Sequence, residues 1–172
     1  MAYCFLGYNY GQIGKFALAL EAENQTKAIG EAISDPRIQT YAAFITGWFT
    51  VMIGDWDTAV AVCQHGLHIS PDPTSTAYSS AFLGYAYLEK GDAEQALPLL
   101  EEAAQRFQQF QFAPFEGLFT VFLAESHRCT EQLESTHQLA KRALDTTTQA
   151  RYGYGVGWAQ HTLGRIAQAR VI

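Results

Sequence analysis

The chain has 172 residues, 48% hydrophobic, 13% aromatic and 16% charged, which is enough apolar material for a folded core and excludes a disordered chain. Its net charge is −6 with no run of like charges, which argues against a nucleic-acid surface built from clustered lysine and arginine. Three cysteines, Cys4, Cys63 and Cys129, are widely spaced and form no C-x-x-C pair, so they read as reduced thiols in a cytoplasmic setting rather than as a disulfide framework or zinc ribbon.

The hydrophobic pattern predicts helices near 2–12 and 15–33, 36–53 and 56–69, 75–90 and 93–110, 114–129 and 132–149, and a last helix near 153–169. The opening MAYCFLGYNY has no basic residue ahead of its apolar run and is no secretory signal. Asp35-Pro36 is a cap followed by proline at the first helical position. The most apolar stretch, AAFITGWFTVMIG at 42–54, has thirteen residues. A bilayer takes about twenty, so this is a buried helix and no membrane partner is expected. SPDPTS at 70–75 is a break, and Pro98, beyond the first turn of its helix, is expected to bend it. GYGVG at 153–157 has no strand before it; it reads as a loosened start to the last helix rather than as a phosphate cradle.

A small residue recurs in the first helix of every pair: Gly7, Gly47, Gly84, Ala124 and Gly164, at intervals of 40, 37, 40 and 40. Seven positions after it come Gly14, Gly54, Gly91 and then Glu131; twelve positions after it come Ala19, Ala59, Ala96 and then Thr136. The second glycine can close a helix in the left-handed conformation, and Asp55 and Asp92 stand where an N-cap accepts backbone N–H groups. The small pair then marks the contact point of a helical hairpin.

These residues resemble the tetratricopeptide repeat. The best match is Leu83, Gly84, Tyr87, Gly91, Asp92, Ala96 and Ala103, and a second repeat matches at Gly47, Gly54, Asp55, Trp56, Ala59 and Pro71. The period near 40 is closer to the long-helix variety found in the C-terminal regions of bacterial signalling ATPases, nucleotide cyclases and maltose-regulator-like activators. Glu131 and Thr136 depart from the pattern, so the fourth hairpin is expected to pack less tightly. The resemblance implies an all-α, right-handed superhelical solenoid of antiparallel helical hairpins. Residues 1–172 would form one domain of about four hairpins plus an extra C-terminal helix.

In such folds the first helices line a concave surface where partners bind. One stripe of each first helix lies six and three positions before the small residue and one and five after it. The stripe carries Tyr8 and Gln12, then Tyr41, Phe44, Trp48 and Met52, then Tyr78, Ala81, Tyr85 and Glu89. Glu125, with Arg128 beside it, and Trp158, His161 and Arg165 continue it. The candidate groove is therefore aromatic in its first half and charged in its second, unless the rings pack against the neighbouring first helix instead. Aromatic side chains with polar tips suit a binding surface.

The expected function is a non-enzymatic interaction module for a protein or peptide partner. The alternative is a regulatory or sensor segment that takes a small ligand or self-associates. Apolar residues at the start of the first helix, and a fifth helix with no second helix after it, point to a homodimer or to a piece of a longer chain. No G-x-S-x-G, S-x-x-K or H-E-x-x-H is present, so no catalysis is expected. Cys63, His65 and His68 do not converge on one helical face, so no metal or other cofactor is expected either.

Overall fold

Helix starts follow their capping chemistry in the computed structural model, which describes residues 2–169. The helices form two compact units, Met1–Lys90 and Gly91–Ile172. The first holds α1 (Ala2–Gln12), α2 (Phe16–Ala32), α3 (Pro36–Ile53), α4 (Trp56–His68) and α5 (Pro73–Lys90). Each packs on the next, and the first helices of the repeats, α1, α3 and α5, also lie side by side. The second holds α6 (Ala93–Gln109), α7 (Ala113–Cys129), α8 (Leu133–Gln149) and α9 (Gly153–Ala169), with α7 against both α8 and α9. Among the described residues there is no strand, and no helix is long and apolar enough to cross a membrane.

Asp35 caps α3 by accepting the backbone N–H of Arg37 at 2.9 Å and of Ile38 at 3.2 Å. Asp55 and Asp92 do the same for α4 and α6 through Thr58 and Gln95. Asp72, inside the stretch read only as a break, caps α5 through Thr74 and Ser75 and also holds the Arg37 guanidinium at 2.9 Å. Burial pushes the Asp72 carboxyl up, but hydrogen bonds from Ser75 and the Arg37 charge outweigh it and hold the group below its ordinary range. Helix α6 runs through Pro98, which lacks the N–H that would meet the Glu94 carbonyl.

The predicted left-handed closures are present at Gly14, Gly54 and Gly91, with φ of 75°, 93° and 93°. Glu131 takes the same conformation at φ 62°, which costs a residue with a Cβ about 1 kcal/mol.

The first two small pairs, Gly7 with Ala19 and Gly47 with Ala59, make the contact that the repeat spacing predicts. A Cβ at Gly7 would collide with the Glu23 carboxyl and come within 3.1 Å of the Ala19 carbonyl. At Gly47 it would collide with Cys63 Sγ and lie 3.4 Å from the Ala59 carbonyl. In α7/α8, Thr136 is fully buried and turns its hydroxyl back onto the Gln132 carbonyl at 2.9 Å, so its departure from alanine does not leave its own hydroxyl unpaired. The GYGVG stretch differs from expectation: it forms the first turns of α9, and Gly155 is buried where a Cβ would meet Thr147 of α8 at 2.6 Å. Its glycine permits a close helix approach rather than a loose one.

Candidate functional site

Ring packing dominates the first helices of Met1–Lys90. Phe44 stacks on Tyr78 at 5.1 Å and on Phe82 at 5.5 Å, while Tyr41 leans on Phe44 at 5.0 Å. Trp48 sits among Tyr8, Phe49 and Phe82, with centroids 5.2, 5.1 and 5.3 Å away. Offset and tilted arrangements at these separations suit aromatic quadrupoles, so the wall is stiff as well as apolar.

That packing corrects part of the predicted groove. Trp48 is 0% exposed, and Phe44, Tyr78 and Tyr85 are also buried. Phe44, Trp48 and Tyr78 belong to the core, because α1, α3 and α5 lie close enough for their rings to meet a neighbouring helix before they meet solvent, and Tyr85 is buried with them. Tyr8, Gln12 and Tyr41 are half-buried and Glu89 is exposed, so the reachable part of the stripe is narrower than the sequence suggested. Burial raises the phenol of Tyr41 above its usual range, helped by the charge of Asp72 and partly offset by Arg37. It raises Tyr78 further, with Tyr41 adding to the effect.

In Gly91–Ile172 the charged residues assemble around one carboxylate. Glu125 is 4% exposed. Its Oε2 accepts from Arg128 Nε at 2.7 Å and faces Arg165 Nη1 at 3.2 Å, while Oε1 is buried without a partner among the described residues. Both guanidiniums face this one carboxylate, and Arg165 is the more exposed of the two. His161 is exposed beside Trp158, whose ring it meets edge-on at 6.2 Å.

Sequence reasoning passed over Glu23. This residue of α2 is 1% exposed, and neither carboxylate oxygen has a hydrogen-bond partner among the described residues. Burial pushes its carboxyl up to about 9. It lies over Gly7, and its charge adds to the burial that raises the nearby Cys4 thiol to about 12. The signal was available in the repeat: sixteen positions after the small residue the chain reads Glu23, Cys63, Leu100 and Ala140. No cluster of three or more His, Cys, Asp or Glu side chains able to hold a metal occurs among the described residues.

A family model described as tetratricopeptide repeat matches residues 77–102, covering most of α5 and the first part of α6. No curated protein matches the chain. Two solved structures of a Podosopora anserina putative kinesin light chain with nearly identical TPR-like repeats, one of them a point variant, are similar at 19% identity. Their TM-scores are 0.68 for the variant and 0.67 for the other, over 98% of this chain and 85% of theirs. A MamA RS-1 ArsTM double mutant is similar at 18% identity with a TM-score of 0.54, over 98% of this chain and 96% of its own.

Proposed function

We propose, from the premise that this chain belongs to the tetratricopeptide-repeat superfamily, that it is a non-enzymatic scaffold binding a peptide or partner helix in a reducing, cytoplasmic setting. The observation that carries the reading is the rigid ring wall of α1, α3 and α5, which leaves Tyr8 and Tyr41 as amphipathic tips on a preorganised face. A surface that is already stiff loses little entropy on binding. Within Gly91–Ile172, the exposed Arg165 offers a separate polar contact and favours a partner carrying an acidic residue.

Selection of random linear peptides on the purified chain tests this. Enriched peptides are expected to pair an aromatic or aliphatic anchor with Asp or Glu. Tyr8→Ala and Tyr41→Ala, and separately Arg165→Glu, are each expected to weaken binding about tenfold while helical circular dichroism is retained. Peptides that bind all of these variants as they bind the parent chain would remove the reading.

Self-association is a related proposal, supported by Phe5, Leu6, Ile13 and Leu18, which α1 and α2 and the turn between them expose. Light scattering is expected to give a dimer mass at micromolar concentration; a monomer throughout the range rejects it.

A further inference from the structure

Helix α1 is held mainly by α2, with a lighter contact on α3. It is also the one helix among the described residues that carries no charged side chain. Into the seam between α1 and α2 the chain nevertheless places an acid. Glu23 is 1% exposed, and its carboxyl fills the space that a Cβ on Gly7 would occupy. In the second hairpin Cys63 takes the same place over Gly47, so close packing has no need of a carboxyl there.

No side chain pairs with this acid. Helix α1 offers it only Gly7 and the Cys4 thiol. On α2 itself Lys27 stands one turn further on, 3.9 Å from Glu31. Gln39 and Thr46 of α3 and His65 of α4 stand around a pocket that Glu23 borders, and none of them gives its carboxyl a hydrogen bond. A carboxylate in that seam would lose its water and gain no donor in exchange, so the docked arrangement requires the neutral acid. Burial, offset in part by the amino-terminal charge, raises the docked group to about 9, in keeping with that requirement.

We propose that α1 is a proton-linked latch, which docks on α2 with Glu23 protonated and swings away as Glu23 ionises, while α2, α3, α4 and α5 stay packed on one another. Opening carries the Glu23 carboxyl into water, where it releases one H+ to solvent. Linkage then makes the open fraction rise about tenfold for each pH unit above the ordinary carboxyl value. The contacts of α3 with α4 and α5 do not involve α1, and the stack of Phe44 on Tyr78 and Phe82 remains without it. Tyr8 travels with α1 and leaves Trp48, so opening also dismantles the peptide face. That last consequence rests on the peptide reading, whereas the latch and its test do not.

Amide hydrogen exchange of the full chain at pH 5, 6 and 7, corrected for intrinsic rates, is the test. A detached helix of eleven residues is too short to protect its own amides. In the parent chain the α1 amides are expected to lose about tenfold in protection per pH unit. At pH 7 they are expected to exchange at least about tenfold faster than the buried amides of α5. In Glu23→Gln the α1 protection is expected to stay level across the range. His65 is retained in that variant, so a slope carried by its imidazole would survive there. Glu23→Leu, which installs the side chain found at this register as Leu100, is expected to behave like Glu23→Gln and guards against a defect peculiar to the amide. Level α1 protection in the parent chain overturns the proposal, and so does an unchanged slope in both variants. A single protection value shared by α1 and α5 at pH 7 overturns it as well, because the unit would then open as a whole.

Discussion

Trp48→Ala is expected to destabilise Met1–Lys90 by about 3–5 kcal/mol, the range for removing a large aromatic from a packed core. The indole is 0% exposed and touches rings from α1, α3 and α5 at once through Tyr8, Phe49 and Phe82. Its removal leaves a cavity that three helices would have to close together, and stiff packed rings collapse poorly. Urea unfolding followed by circular dichroism measures the loss. A change below about 1 kcal/mol would show that the ring is not core. Tyr8 is half-buried, so its truncation should cost the fold much less. Two neighbours at the same stripe position of adjacent first helices thus separate into a folding residue and a binding residue.

The second large effect is at Glu23 and depends on pH. Its folded-state value of about 9 lies above the ordinary 4.5, so the folded chain holds a proton that the unfolded chain has released. Stability at this site is then complete below about pH 4.5 and declines as pH rises towards 9. Glu23→Gln cannot ionise and escapes the decline. Relative to the parent chain it is expected to gain stability between pH 4 and pH 7 by on the order of 3 kcal/mol, and by more at pH 9. Titrating groups that are not coupled to Glu23 contribute alike to both chains and cancel in the difference. Urea midpoints for the two proteins at pH 4, 7 and 9 check this, and a difference that stays flat would mean that Glu23 is already ionised when folded.

Helix boundaries were readable because they rest on local chemistry. Asp35, Asp55 and Asp92 cap through their own side chains, and Gly14, Gly54 and Gly91 close helices by a backbone conformation that glycine adopts freely. Hairpin contacts were readable because a small residue repeated at a steady interval. The binding face was less readable, for a geometric reason. Trp48 follows Gly47 on the helix, at the border between the side facing the second helix and the side facing solvent. Whether it is covered depends on the distance between neighbouring first helices, and no single helix encodes that distance. Tyr41 and Phe44 show the same divergence: the ring three positions before Gly47 is buried, while the ring six positions before it keeps an exposed edge. Glu23 escaped notice because it sits among polar residues on α2, where an acid looks ordinary until the repeats are compared at that register.

The three thiols of this chain are unequal. Cys63 is fully buried, with its thiol pushed up to about 12, and Cys4 is nearly as protected, whereas Cys129 is exposed. A maleimide dye or nitroxide added to the native protein would therefore attach selectively at the end of α7. The two protected sulfurs lie on α1 and α4, so the rate at which they become alkylated counts how often these helices part from their neighbours. The chain thus carries one labelling handle and two internal clocks for local opening, with no cysteine needing to be introduced or removed.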